Sequence, residues 1–395
     1  MSVTNINDSI VYIGADDLDI DLFESQYVVP EGVSYNSYLI KDSKIVVMDT
    51  VDERATDPWF DNLSEALDGK APDYLVVSHL EPDHAANIQR FISKYPDTII
   101  VGNAKTFAMM PQFFDMEVDE YKKLVVKEGD ELNTGSHTLK FFMAPMVHWP
   151  EVMVTYDIKD KVLFSADGFG KFGAINGKLI NTSKEDAKEW SCEARRYYIN
   201  IVGKYGPSVQ ALLKKAATLD IQMIAPLHGP VLNGELSSYI EKYDIWSSYR
   251  AEDEGVTVAF SSLHGNTKKA ALYTAALLDK QGVKYELFDL SRDDMAEALE
   301  SAFRYDKIVL LGVTYDGGLM PCMEDFLYHL KMKNFQNRKA AIVQNGSWGP
   351  VSGKLMKDAL ESMKNITVCE KMVTIKSVMN TENEKELTEL IKELL

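Results

Sequence analysis

The sequence predicts two α/β domains in tandem: a domain of mixed strands and helices, followed by a doubly wound parallel sheet. Three observations carry this. The chain has 395 residues, more than a single hydrophobic core usually serves. Its first part mixes hairpin-spaced apolar runs with amphipathic helical stretches. Its last part alternates strictly between buried strand-like runs and helices, the signature of a parallel sheet covered on both faces. The boundary falls in the stretch 250–255, giving domains of 1–252 and 253–395.

The elements follow in order. SYNSYLIKDSKIVVMDT (34–50) reads as a hairpin, two apolar runs around a KDSK turn. APDYLVVSH (71–79) and DTIIVG (97–102) are short buried strands. TLKFFMAP (138–145) and VMVTYDIKDKVLFSAD (152–167) give three more, the last two joined by a KD turn. IQMIAPLHG (221–229) is a further buried strand. Helical patterns fill much of 54–68, 86–94, 184–203 and 207–219. The stretch 235–255 reads as a closing helix and an acidic linker. Beyond it, VTVAFSS (256–262), KYELFDLS (284–291), KIVLLGVTY (307–315), KAAIVQNG (339–346) and ITVCEKMVTIK (366–376) are five strand-like runs, each followed by a helical stretch.

Composition narrows the function. Apolar residues make up 46% and charged residues 26%, ordinary for a globular protein. The net charge of −18 argues against nucleic acid and anionic membranes as partners. No apolar run approaches the roughly 18 residues of a membrane span. The opening MSVTNINDSIVYIG lacks the basic and apolar regions of a signal peptide, so a cytoplasmic setting is expected. Three widely spaced cysteines, Cys192, Cys322 and Cys369, provide neither a disulfide framework nor the CxxC pairs of an iron–thiolate or zinc-ribbon site.

The chemistry concentrates in SHLEPDHAAN (78–87). His79, Glu81, Asp83 and His84 fall within six positions. In an extended loop, residues i, i+2 and i+4 share a side, so His79, Glu81 and Asp83 would converge there. Pro82 disfavours helix at Glu81, and His84 would reach a second centre just beyond. Three further candidates sit where strands exit into loops, the usual place for binding residues: His148 in APMVHWPEV, Asp167 in LFSADGFG and His228 in IAPLHGP. The other histidines read more plainly. His137, in NTGSH, is expected to be solvated, and His329, on MEDFLYHLKMK, to be a surface or packing residue.

HxExDH followed by His148, Asp167 and His228 resembles the ligand pattern of flavodiiron proteins, the A-type flavoproteins, over the whole chain. That resemblance implies a metallo-β-lactamase-like αββα sandwich followed by a flavodoxin-like doubly wound sheet. It implies one iron on His79, Glu81 and His148, a second on Asp83, His84 and His228, and Asp167 bridging them. Hydrolases of the same superfamily carry histidine where this chain has Glu81. The added carboxylate favours a harder metal and helps hold iron in both oxidation states. Tyr197 and Tyr198 either pack a helix or border the metal pocket, as tyrosines often do in the family.

SSLHGNTKKAA (261–271) joins the first strand of the second domain to its helix, and its amides and hydroxyls can surround a phosphate at the helix N-terminus. The loop resembles the flavodoxin phosphate loop, with Ser262, Gly265, Asn266 and Thr267 matching and His264 replacing a threonine. Leu263 completes this segment. GVTYDGGLMP (312–321) would offer Thr314, Tyr315, Asp316, Gly317 and Gly318 to a flavin ring. QNGSWGP (344–350) would offer Asn345, Gly346, Ser347, Trp348 and Gly349. All three loops lie at strand ends, where flavins bind in this fold, and FMN is the expected cofactor. GFGKFG (168–173) is a literal GxGxxG, but no helix follows it, so a nicotinamide site is not expected there. Its glycines would let the backbone turn past Asp167.

The resemblance implies an oxidoreductase. Two ferrous ions and reduced FMN hold the four electrons that take O2 to water, and coupling two NO to N2O needs two. It also implies a rubredoxin-type electron donor and a head-to-tail homodimer, or a dimer of dimers. Two other readings compete: a zinc hydrolase fused to a flavodoxin domain, against which Glu81 argues, and an electron carrier with a vestigial metal domain, against which the full ligand set argues.

Overall fold

A computed structural model describes residues 3–115 and 121–395. The chain divides into two compact units, one of Met1–Tyr198 with Pro207–Asp244, the other of Ile199–Gly206 with Ile245–Leu395.

The first unit is an αββα sandwich. One sheet runs in the order Thr4–Asn5, Ile10–Tyr12, Tyr38–Ile40, Val46–Met48, Tyr74–Val76, Ile99–Asn103, Lys122–Val126. The other runs Glu131–Asn133, Thr138–Met143, Met153–Asp157, Val162–Phe164, Met223–Ala225, Val231–Asn233, Ile180–Asn181. Tyr12, Tyr38, Ile40, Met48 and Val76 of the first sheet share one core with Phe141, Met153, Phe164 and Ala225 of the second. The opposite faces are covered too. Tyr38–Ile40, Val46–Met48 and Val162–Phe164 are buried at every residue, which is why they read as apolar runs without alternation. The expected hairpin of 34–50 is present, with Tyr38–Ile40 antiparallel to Val46–Met48.

The second unit is a flavodoxin-like sheet. Its five main strands lie in the order Tyr285–Asp289, Asp253–Phe260, Tyr305–Tyr315, Arg338–Asn345, Ile366–Ile375, all parallel. The order reverses beside Asp253–Phe260, and ligands in such folds sit at the carboxyl ends of the strands at that point. Helices Asn266–Lys280, Met295–Arg304, Pro321–Met332, Ser352–Glu361 and Thr381–Leu394 alternate with the strands. The stretch expected to be an acidic linker is partly strand, because Asp253 already opens the first one. A short strand, Gly318–Leu319, folds back on Thr314–Tyr315 around a two-residue turn. Asp316 and Gly317 both have positive φ there, the backbone that a tight hairpin of this length requires.

Candidate functional site

The first cluster of ligand atoms forms where four loops leave the two sheets of the sandwich. Tyr74–Val76 delivers Ser78–Glu81 at its carboxyl end. Asp49, just past the neighbouring strand Val46–Met48, fixes that exit by accepting the Ser78 amide at 2.6 Å. Burial pushes the Asp49 carboxyl up to about 6, against its hydrogen bonds to Ser78. The second sheet contributes His148 after Thr138–Met143, Asp167 after Val162–Phe164 and His228 after Met223–Ala225.

The backbone differs from the expected extended loop. Glu81 is extended (φ −57°, ψ 137°), but Pro82 starts a helical turn, Pro82–Ala85. Proline is disfavoured inside a helix yet well suited to its first position, where no amide donor is needed. His79 and Glu81 therefore face one group of ligand atoms, and Asp83 turns away to another. The alternation does not bring the three together.

The two groups are His79, Glu81, His148 and Asp167, and Asp83, His84 and His228, with ligand atoms of each within 4.8 Å of one another. Asp167 serves both. Its Oδ2 lies 3.2 Å from His79 Nε2 and 3.3 Å from His148 Nε2. Its Oδ1 lies 3.1 Å from His84 Nε2 and 3.8 Å from His228 Nε2. In the first group Glu81 Oε2 is 2.9 Å from His148 Nε2 and 3.2 Å from His79 Nε2. In the second, Asp83 Oδ2 is 3.1 Å from His228 Nε2 and 3.3 Å from His84 Nε2.

This donor set fits a pair of metal ions. Both Asp83 oxygens, Asp167 Oδ2 and His148 Nε2 are buried without a hydrogen bond among the described residues, although they lie close to one another. Unspent lone pairs in a dry interior are costly unless a cation takes them. His84 Nε2 and His228 Nε2 face each other at 3.1 Å, two nitrogens turned toward one place. The charges agree. Burial works against a positive ring at His79, yet Asp167, Glu151 and Glu81 outweigh it and raise its pKa well above the ordinary value. His148 is raised to about 9 against burial by contacts with Asp167 and Glu81. Asp167 is held well below the usual carboxylate range by His84 and His79, although its burial opposes this. Three carboxylates thus draw positive charge into the pocket.

The second cluster lies wholly in the other unit. A cavity of about 630 Å³ opens at the carboxyl ends of the strands, lined by Ser262, Leu263, His264, Asn266 and Thr267 from the first loop. Val313, Thr314, Asp316 and Gly317 line it from the second loop, and Asn345, Gly346, Ser347, Trp348 and Gly349 from the third. Of the expected residues, Gly265, Tyr315 and Gly318 belong to these loops but do not line the cavity. Ser262 Oγ accepts the Gly265 and Lys268 amides at 3.1 and 3.2 Å, shaping the turn into Asn266–Lys280. Gly265 has φ +86°, which glycine adopts without strain. Trp348 is 86% exposed at the rim.

A family model described as ODP family beta lactamase matches residues 33–229. The chain is 30% identical to the anaerobic nitric oxide reductase flavorubredoxin of Aeromonas hydrophila over 350 residues, 87% of this chain and 70% of that one. The chain belongs to the flavodiiron protein family. As a flavodiiron protein it is an oxidoreductase. Its fold is similar to the rubredoxin oxygen:oxidoreductase of Desulfovibrio gigas (TM-score 0.93, 24% identity, covering 100% of this chain and 98% of that one). It is similar also to the flavodiiron protein of Giardia intestinalis (TM-score 0.92, 24% identity, 100% and 97% covered).

Several residues around the metal centre of this flavodiiron chain escaped the sequence reading. Glu151 is buried and accepts a hydrogen bond from His79 Nδ1 at 2.7 Å. Its signal was a carboxylate three residues after His148, with nothing in the sequence to show that it turns back toward His79. Glu24 sits on the turn between Leu22–Phe23 and Tyr27–Val28. That residue is exposed, and the protein around its carboxyl together with the Glu81 charge pushes it up to about 7. Ser377 joins the cavity of the second unit by hydrogen bonds between its backbone and the Asn345 side chain, each 3.0 Å.

The remaining side chains resolve as follows. Tyr197 borders the metal centre, its ring 5.5 Å from that of His228. Tyr198 packs edge-on against Tyr243 at 5.1 Å. His137 is not solvated: it is fully buried, with Nδ1 2.7 Å from Asp157 Oδ2 and Nε2 3.1 Å from Lys159 Nζ. The turn around it folds inward because Asp42 takes the His137 amide at 2.8 Å and the Thr134 hydroxyl at 2.9 Å. His329 lies on Pro321–Met332, 3.5 Å from Asp325. GFGKFG forms a tight passage past Asp167: a Cβ at Gly168 would lie 2.9 Å from the Ser165 carbonyl oxygen. Ile180–Asn181 is the next regular element, with no helix between.

Proposed function

We propose that this flavodiiron protein reduces O2 to water, NO to N2O, or both, at a diiron centre fed with electrons through FMN. One observation carries the reading: Asp167 turns one carboxylate oxygen to each of two ligand groups. A hydrolytic zinc site does not account for Glu81 among those ligands. In this reading His79, Glu81 and His148 would hold one iron and Asp83, His84 and His228 the other, with Asp167 offering one oxygen to each. Ser262–Thr267 would hold the phosphate of FMN in the cavity of the second unit, and Thr314–Gly318 and Asn345–Gly349 would hold its ring. Residues 1–252 then form the diiron domain and 253–395 the FMN domain.

Bound in these places, the two irons and the flavin supply the four electrons that O2 requires with four protons, or the two that a pair of NO molecules requires with two protons. The protein's own part is placement and exclusion. Asp167 fixes the spacing of the two positions, so that two reacting atoms can be held side by side. Glu81 and Asp83 each add one negative charge to one position, which favours retention of the metal in either oxidation state. Phe23 and Tyr197 set their rings 5.4 and 5.5 Å from the His228 ring, and Phe172 packs behind both. Trp149 meets His79 edge-on at 5.2 Å. These aromatic surfaces keep bulk water away from a site that charge alone would hydrate.

The flavorubredoxin and rubredoxin oxygen:oxidoreductase relatives support a rubredoxin-type donor, and a head-to-tail homodimer (or dimer of dimers) in the cytoplasm completes the proposal. Among the described residues, no helix is long and apolar enough to cross a membrane. The decisive experiment reduces the holoprotein anaerobically and then pulses it separately with O2 and with NO, following flavin and iron absorbance. Reoxidation by either gas without accumulating peroxide is expected. H2O2 as the main product would contradict the four-electron reading, and zinc without iron would favour a hydrolase. The same preparation should be dimeric by light scattering; a fully active monomer would remove the homodimer.

A further inference from the structure

Each metal position has one carboxylate of its own and a share of Asp167. The difference between them lies one residue further out. Glu151 is 1% exposed, and its Oε1 accepts the His79 Nδ1–H at 2.7 Å and the Leu80 amide at 2.9 Å. Its own carbonyl is held by Asn103 Nδ2 at 2.5 Å. An ionised carboxylate only accepts, so Nδ1 carries the hydrogen and the lone pair of Nε2 is left for the ligand group. Nε2 indeed lies 3.2 Å from both Glu81 Oε2 and Asp167 Oδ2.

At the other position, among the described residues, no carboxylate accepts a hydrogen bond from the outer nitrogen of either imidazole. His228 Nδ1 donates to the Ser34 carbonyl at 2.8 Å, a neutral dipole. His84 Nδ1 is buried and has no hydrogen-bond partner among the described residues. A carboxylate behind a ligating imidazole fixes its tautomer and orientation and raises its basicity, and inside a dry core that charge is weakly screened.

We propose that Glu151 makes the two metal positions unequal: it gives the His79–Glu81–His148 position the tighter hold on a divalent cation and leaves the Asp83–His84–His228 position the first to empty. Glu151 acts through His79 and is a positioning residue. The proposal rests on the diiron reading above.

The test is metal affinity, not turnover. Full-length, flavin-loaded, metal-depleted protein is titrated anaerobically with ferrous ion against a chromophoric chelator. His228→Ala isolates the first position and His148→Ala the second. Glu151→Gln keeps the shape and an acceptor oxygen for both N–H groups but removes the charge. It should weaken ferrous binding by about ten- to a hundred-fold in the His228→Ala background and leave the His148→Ala background unchanged. Equal loss in both backgrounds, or none in either, overturns the proposal. A second measurement needs no variant: wild-type crystals given one ferrous equivalent should show anomalous iron scattering at the His79 position, and scattering at the other position or shared equally overturns it. Wild-type protein binding two irons with equal affinity defeats the inequality alone; failure to bind two irons defeats the diiron reading as well.

Discussion

At His148, burial alone would favour a neutral ring, yet Asp167 and Glu81 raise it from 6.5 to about 9. His79 and His84 are raised by the carboxylates around them in the same way. A metal ion must displace the protons these rings hold. Apparent metal affinity should therefore climb as pH rises from about 6.5 to about 9 and level off beyond. Calorimetry in buffers of different ionisation enthalpy should show proton release holding near its full value until pH approaches about 9 and falling toward zero above it; affinity and proton release that ignore pH would contradict it. Without metal the sign reverses. A raised folded-state pKa contributes stability that is complete below 6.5 and lost as pH rises through about 9, so the metal-depleted protein should soften in that range. The seven candidate ligand residues, which the structure gathers into two groups, were legible because histidine and carboxylate at strand exits are unusual and their residue types survive any error in backbone shape. Glu151 and His137 were not legible. Each is a polar side chain whose role depends on which way a loop folds back, and only tertiary contact settles that.

Among the elements, the loop Ser165–Gly170 sets the position of the Asp167 carboxylate. Ala166 and Phe169 both have positive φ, and the Ser165 hydroxyl donates to the Gly168 carbonyl at 2.6 Å, so the turn is held from inside. A methyl group at Gly168 would meet the Ser165 carbonyl oxygen at 2.9 Å, and one at Gly170 the Tyr197 ring at 3.2 Å. Gly168→Ala should cost about 1–3 kcal/mol by overpacking and shift Asp167, lowering bound metal per chain while flavin content holds. Full metal content in that variant would show that the loop yields elsewhere. The helices were readable from apolar period and the strands from short apolar runs at turn signals. The helical turn Pro82–Ala85 was not, because proline signals a break and the start of a new turn with the same residue.

For the whole molecule, the candidate metal ligands fall in one compact unit and the cavity proposed for FMN in the other. Metal at a hundred times its dissociation constant should stabilise its own unit by about 2.7 kcal/mol and leave the second unit's unfolding unmoved. Scanning calorimetry of metal-loaded and metal-depleted protein would show one transition shifting. Asp167→Ala should lose that shift and keep the yellow colour; loss of flavin as well would mean that the two units do not unfold separately. The parallel sheet was legible from its strict alternation of strand and helix. The sandwich was harder to read, since its short strands are buried on both faces and carry no period to mark inside from outside.

His79, Glu81, Asp83 and His84 leave one sheet of the sandwich, whereas His148, Asp167 and His228 leave the other. A pair of ions held between them would cross-link stretches of chain that lie far apart in sequence. The three cysteines form no disulfide. Fastening one sheet to the other would fall to the metals, which close long loops as disulfides do in small secreted domains, except that a chelator rather than a reductant would undo them.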